Sequence, residues 1–321
     1  MALNRFSRLA TVTVAGVLLL SACGGNNNTE TTGAGSAGSK ELTGTVKIDG
    51  SSTVAPLSEA AAEFFKEEQP GVNVTVGTSG TGGGFEKFCN GETDISDASR
   101  PIDEEEVAVC EEKGIEYAEI PVANDALTVV VNPDNDWAEC LTTDQLEAIW
   151  EPGSKVTSWN QVDPSFPDED LELYGPGTDS GTFDYFTSEI NGEEGASRED
   201  YSPSEDDNVI VQGVAGSKGG LGYFGYTYYE ENADKLKAVE IDSGSGCVAP
   251  SSKTARDGSY TPLARPLFIY PSKAALGKPE VKAFLEFYLD NDAEIADAAQ
   301  YIPLSEEQKS QARSTFDTFA G

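Results

Sequence analysis

The chain has 321 residues, 38% of them hydrophobic, a length that suggests about two domains of about 150 residues each, with real cores. Asp and Glu number 56 against 21 Lys and Arg, a formal net charge of −35, and there is no His. Nucleic-acid binding needs a basic footprint and is excluded; without His, so are a Ser-His-Asp triad and the clustered His and Asp ligands of a metal phosphatase.

At the N-terminus, Arg5 and Arg8 form a basic region, and Ala10 to Leu20 form an apolar one too short to span a membrane. Leu20-Ser21-Ala22-Cys23 resembles the lipobox of a bacterial lipoprotein signal. That resemblance implies a signal peptide over 1–22, cleavage before Cys23, and a diacylglycerol on its sulfur with palmitate as acyl chain. Residues 23–42 are then the lipidated Cys and a flexible tether, since GGNNNTETTGAGSAGSK (24–40) has almost no apolar content. The expected location is extracytoplasmic, on the outer face of the cell membrane, held by the lipid anchor only.

Next, TGTVKIDGSST (43–53) reads as an alternating strand, with Val46 and Ile48 on one face, ending in a Gly-Ser turn. Val54, Leu57, Ala61, Phe64 and Phe65 have helical spacing, and Pro70-Gly71 stops that helix. VNVTVGTSG is a second strand, and GGGFEKFCNGE starts a short helix. TDISDASRPID runs from strand into loop, EEEVAVCEEKG is helical, and IEYAEIPVAND returns as strand. This β-α-β-α-β-α-β order argues for a parallel sheet with crossover helices. ALTVVVNPDN (126–135) reads as a further, strongly apolar strand opening a second α/β unit. LTTDQLEAIWEPG is a capped helix, LELYGPGTDSGTFDYFTSEI a strand, turn and helix, and the stretch from Asp207 to Asn232 a short helix, Gly-rich turn and aromatic strand. A strand and a long helix with Val281, Phe284, Leu285 and Leu289 on one face follow, then a last helix over about 306–320. No fixed-period repeat is visible.

Cys89, Cys110, Cys140 and Cys247 allow three pairings. Cys89 and Cys110 flank one short unit, so loop closure favours that bridge, with Cys140–Cys247 to follow. No CxxC and no His support a metal site.

One device recurs three times: a strand whose carboxyl end carries Gly, Ser and Thr just before a helix, in DGSSTVAPL, GTSGTGGGF and GTDSGTFDYF. Ligands of open parallel sheets bind outside the carboxyl ends of the strands. A helix start there offers unpaired N–H groups and about half a positive charge, hydroxyls add neutral donors, and Gly lets the backbone approach. Three such starts converging would make an anion site with little formal charge. Taken singly, each is an ordinary cap. Arg100, in SDASRPID, could grip an oxyanion with two N–H groups; its alternative is a salt bridge to the Glu104–Glu106 cluster.

DGSSTVAPL, GTSGTGGGF, DISDASRPID, GTDSGTFDYF and GGLGYFGY, in this order, resemble the substrate-binding lipoproteins of the ABC-type (Pst) phosphate uptake system, over nearly all of 43–320. The resemblance implies an α/β, two-lobed periplasmic-binding-protein fold, each lobe a mostly parallel sheet flanked by helices, with ligand in the inter-lobe cleft. Lobe I would be 43–124 plus 262–321 and lobe II 125–261. It implies inorganic phosphate as ligand, delivery to the ABC permease of the uptake system, no cofactor, no catalytic residue and a monomer. Carried over by motif, the phosphate ligands are Ser52, Thr53, Ser79, Gly80, Thr81, Ser99 and Arg100, with Ser180, Gly181 and Thr182 from the second lobe.

The chain departs from some relatives, which carry Asp in place of Arg100 and an arginine shortly before Ser-Gly-Thr; YGPGTDSGT has none. The carboxylate that would accept the proton of hydrogen phosphate is then Asp179, with Asp97 second. The same scaffold could take sulfate, molybdate or phosphonate. A secreted hydrolase is disfavoured, with no G-x-S-x-G elbow and no S-x-x-K dyad.

Overall fold

A computed structural model describes residues 42–178 and 180–321. The signal peptide, Cys23 and nearly all of the tether therefore lie outside the described residues, as does Asp179. The first elements are β1 (Gly44–Gly50), α1 (Ala55–Glu68), β2 (Val72–Gly77), α2 (Gly80–Cys89), β3 (Ile95–Ala98), α3 (Glu104–Lys113) and β4 (Ile120–Val131). Then come β5 (Cys140–Thr142), α4 (Thr143–Trp150), α5 (Trp159–Val162), β6 (Glu172–Gly175), α6 (Gly181–Asn191), β7 (Ser202–Pro203), α7 (Asp207–Gly216), β8 (Gly220–Gly225) and α8 (Tyr226–Glu231). The chain continues through β9 (Lys237–Ala238), β10 (Glu240–Asp242), β11 (Cys247–Val248), α9 (Ser252–Arg256) and β12 (Ala264–Pro271). It ends with α10 (Pro279–Asp290), α11 (Asp292–Ala298) and α12 (Glu306–Ala320).

Local chemistry explains several boundaries. The Asp103 side chain accepts from the Glu106 amide while Glu106 reaches back to the Asp103 amide, which starts α3; Gly114, at φ 70°, ends it. Thr142 with Gln145, and Ser305 with Gln308, make the same reciprocal caps on α4 and α12. Along α1, Leu57, Ala61 and Phe65 are buried, as their helical spacing requires, while Phe64 is only half-buried.

The main sheet runs β2-β1-β3-β12-β4-β8-β6-β7, with β9 also on β4; β11-β10-β5 form a second, smaller sheet. β1 pairs in parallel with β2 and β3, and β6 in parallel with β7 and β8. Between these parallel blocks lie β12 and β4, antiparallel to each other and to the blocks they border. Residues 115–125 and 126–135 do not supply two strands: β4 runs unbroken from Ile120 to Val131. The polar pair Asn124-Asp125 looks like a break, but each side chain is bonded inside the fold, Asn124 to Gln308 and Asp125 to Arg265. Nor does β4 join β1–β3 as a fourth parallel strand, because β12 intervenes.

The architecture is two-lobed, with a separate core on each side. One core gathers Val46, Leu57, Phe65, Ile120, Leu267 and Phe284. The other gathers Leu127, Val129, Trp150, Phe186, Tyr223 and Leu263. β4 gives its first half to one and its second half to the other. The two disulfides are Cys89–Cys110, which joins α2 to α3, and Cys140–Cys247, which joins β5 to β11.

Two positions behind the first-lobe loops are tightly constrained. A Cβ on Gly84 would stand 2.5 Å from Gly50 Cα and 3.0 Å from the Asp49 carbonyl, so α2 lies on β1 only without a side chain there. Asp97, on β3, is fully buried on the side of the first core, where Ser58 Oγ donates to it at 3.0 Å. Burial pushes its carboxyl up to about 8, against the bond from Ser58 and with added repulsion from Asp49 and Glu59.

Each constraint has a measurable consequence. Gly84→Ala should lower unfolding stability by about 1–3 kcal/mol through overpacking. Gly82→Ala, whose Cβ would meet nothing closer than 3.8 Å, should be neutral or slightly stabilising in the same urea titration. Equal losses in both would refute the packing account. For Asp97, a carboxyl whose folded pKa is raised holds its proton more tightly in the native state, so its contribution is full below the unfolded value of 3.8 and is lost as pH rises to about 8. Asp97→Asn keeps an acceptor for Ser58 and removes that loss. Its stability should fall less than that of the wild type between about pH 5 and pH 8; parallel curves would show that Asp97 does not titrate this way.

Candidate functional site

The three Gly-Ser-Thr turns meet at one cavity of about 450 Å³. One wall comes from the first lobe. After β1, the Ser51 carbonyl accepts from the amides of Val54 (3.2 Å) and Ala55 (3.0 Å), a tight turn that presents Ser52 and Thr53 at the start of α1. After β2, the chain enters α2 at Gly80, which has φ +81°. Gly80, read from sequence as the end of the second strand, and Thr81 begin this helix, so the amides of Gly80, Thr81 and Gly82 have no acceptor within it. After β3, Ser99 and Arg100 complete this wall.

The other wall is α6 of the second lobe. Ser180 is its cap, its Oγ accepting from the Thr182 amide at 3.2 Å. Gly181 lies against the first lobe: a Cβ there would stand 3.3 Å from Thr53 Oγ1. Helix starts from the two lobes are thus in contact, with Thr53 almost fully buried between them. Further along α6 the lining includes Asp184, Tyr185, Ser188 and Glu189, followed by Glu194. Burial pushes the Asp184 and Glu189 carboxyls up while Arg265 pulls both down, and Glu194 raises Asp184 further.

Of the residues singled out from sequence, Ser52, Thr53, Ser79, Gly80, Thr81, Ser99, Arg100 and Gly181 line this one cavity. Thr182 lines an adjoining cavity of about 140 Å³ together with Asp125 and Tyr226. Ser180 lines neither and serves as the cap. Asp97 faces the first core, not the cavity.

Several polar groups are already engaged. Ser79 Oγ donates to Asp49 Oδ1 at 2.5 Å, and its amide donates to the same oxygen at 3.2 Å. Lys87 Nζ donates to the other Asp49 oxygen at 2.6 Å. Thr81 Oγ1 is 3.1 Å from Ser99 Oγ and accepts from the Ser99 amide at 3.2 Å, tying α2 to the end of β3. Arg100 takes the salt bridge: Nη1 and Nη2 donate to the two oxygens of Glu106, both at 2.8 Å. That bond, and the charge behind it, hold the Arg100 guanidinium above its usual range despite partial burial.

Two residues escape sequence reasoning. Ser51 is buried, and its Oγ accepts from the Thr53 amide at 3.2 Å, shaping the first turn. Arg265, on β12, lines the cavity with its guanidinium 3.5 Å from the centre of the Tyr185 ring. Its Nη2 donates to Thr53 Oγ1 at 3.2 Å and its Nε to Asp125 Oδ2 at 3.3 Å. No glycine turn marks it; the only hint is a lone cation between Leu263 and the apolar run Pro266–Tyr270.

Among the described residues there is no group of three or more Asp, Glu, Cys or His placed to hold a metal ion, and no helix long and apolar enough to cross a membrane. What converges is a set of backbone amides and hydroxyls with two arginines, Arg100 and Arg265, donors suited to an oxyanion.

Comparison with known proteins gives the family. A PBP superfamily domain matches residues 30–292. Protein SphX from Synechocystis is 49% identical over 275 residues, 85% of this chain and 82% of its own. Phosphate-binding protein PstS from Staphylococcus saprophyticus is 40% identical over 321 residues, 99% of this chain and 96% of its own. The crystal structure of a possible phosphate binding protein from Planctomyces limnophilus superposes with a TM-score of 0.83 at 48% identity, covering 87% of this chain and 99% of that one. With that coverage and identity over both lobes, the chain belongs to the PBP superfamily and, within it, to the phosphate-binding protein family that includes PstS.

Proposed function

We propose that this protein is an extracytoplasmic solute-binding protein that captures inorganic phosphate between its lobes and delivers it to an ABC permease. One observation carries the reading: the starts of α1, α2 and α6 meet at one cavity, with Thr53 of the first lobe against Gly181 of the second. Amides of this kind stabilise an oxyanion without a net positive protein. The relatives named for phosphate binding, matched over most of both chains, support the same ligand.

The cleft also favours phosphate over sulfate. Asp184 and Glu189 line it, and a carboxylate can accept the proton of hydrogen phosphate while repelling an oxyanion that has none to give. In this proposal Ser52, Thr53, Gly80, Thr81, Ser99, Arg100 and Gly181 line the phosphate cavity, Thr182 borders it, Ser79 shapes the α2 turn and Ser180 caps α6. Asp179 precedes that cap. Lobe I is 43–124 plus 262–321 and lobe II is 125–261, a division supported by the two cores and by the crossings in β4 and before β12. Closure of the lobes completes the ligand shell. The lipobox at Cys23 supports a palmitoylated lipid anchor on the outer face of the cell membrane, with the tether giving reach. The protein acts as a monomeric carrier rather than an enzyme.

Calorimetry on protein stripped of ligand tests this. Phosphate should bind at one site with an affinity that a large excess of sulfate leaves nearly unchanged. Absence of phosphate binding, or displacement by sulfate, molybdate or a phosphonate at comparable concentration, would overturn the assignment. Phosphate should also raise the thermal midpoint, since a ligand that binds only the native state stabilises it.

A further inference from the structure

We propose that Arg265, not Arg100, is the cation that meets the bound oxyanion; the assignment rests on the phosphate reading above. Both arginines line the cavity, but their guanidinium groups are in different states. Arg100 has both terminal nitrogens on Glu106, in a two-bond fork that a carboxylate fills completely, and its side chain is 42% exposed. To serve an anion it must give up that fork. Arg265 is 19% exposed and holds Asp125 through Nε alone, its single ion pair among the described residues. Of its terminal nitrogens, Nη2 donates to Thr53 Oγ1, the one hydrogen bond they make among the described residues. Thr53 is itself at the contact between α1 and α6, so an oxyanion reaching the α1 turn meets Arg265 without any rearrangement of ion pairs.

The surroundings of Arg265 hold it in place. Its partner Asp125 is directly opposite in the β4–β12 register, so the backbone fixes the pair. The Tyr185 ring covers one face of the guanidinium at 3.5 Å, close enough for both stacking and cation–π attraction. Tyr185 belongs to α6 of the second lobe and Thr53 to the α1 turn of the first. Arg265 therefore touches both walls, and an anion bound to it bridges the two lobes.

Phosphate titrations by calorimetry on wild type, Arg265→Gln and Arg100→Gln decide the matter. Arg265→Gln should bind phosphate about 10- to 100-fold more weakly, the effect of removing a charge-assisted partner from a buried oxyanion, and Arg100→Gln should lose clearly less. Because Arg265→Gln leaves Asp125 buried without its cation, the double variant Asp125→Asn/Arg265→Gln removes that burden; it should fold as the wild type does and still bind weakly. Wild-type affinity in Arg265→Gln or in the double variant would overturn the proposal, as would a larger loss in Arg100→Gln. If the wild type itself gives no heat with phosphate, the phosphate reading fails and takes this assignment with it; that result is distinct from a wild type that binds and an Arg265 variant that binds equally well.

Discussion

The antiparallel pairing of β4 with β12 is the constraint on which the cleft depends. These two strands lie between the parallel blocks of the two lobes, and β4 passes from β12 to β8 between Ala126 and Leu127. Its register sets Asp125 opposite Arg265, both largely buried. Stripping two charges of water is costly, and removing one partner leaves the other stranded, so such a pair holds register more than it adds stability. A slip of β12 by one residue against β4 would turn the Arg265 side chain to the opposite face of the sheet, away from Asp125. The guanidinium would then leave Tyr185 and Thr53, and the cavity would lose Arg265.

An anion site in a chain of net charge −35 needs an electrostatic account. At physiological ionic strength the screening length is about 8 Å, so most of the surface charge is muted at the cavity floor. What acts there is local: partial positive charge at the starts of α1, α2 and α6, set by backbone geometry rather than by side-chain charge. The acidic surface serves solubility and works against long-range attraction of an anion, which leaves binding to short-range contacts.

Much of this was legible in the sequence. Alternating and helical spacings placed many elements, because β1 and α1 among others bury one face; loop closure favoured the Cys89–Cys110 bridge and left Cys140 with Cys247; and the three Gly-Ser-Thr turns marked the helix starts that line the cavity. What was not legible depends on partners distant in sequence. Arg265 looks like an incidental cation in a strand until Asp125, 140 positions earlier, is set opposite it. Arg100 could be read as a ligand or as a salt bridge, and only the α3 cap, which brings Glu106 back toward its own helix start, decides where its fork rests in this structure. Asp97 was the second candidate for the site carboxylate, but strand alternation turns it toward Ser58 and the first core. The Asn124-Asp125 pair mimicked a turn because its ion pair and amide bonds are tertiary.

The acidic residues behind the first-lobe wall show how the anion is spared their repulsion. Asp49, next to the last residue of β1, has its oxygens taken by Lys87 and by Ser79, and although burial raises its carboxyl, those bonds outweigh burial and hold it below the usual range. Glu106 is matched by Arg100, and Asp125 by Arg265. Around this wall, then, these carboxylates and cations cancel in pairs, while Asp184, Glu189 and Glu194 stand on the opposite wall. The glycines matter for the same reason. Gly84 lets α2 settle on β1 at Gly50, which brings the free amides of its first turn forward to the cavity; a side chain at that position would push the helix, and with it those donors, out of reach. Close packing behind the wall is therefore part of the binding chemistry in front of it.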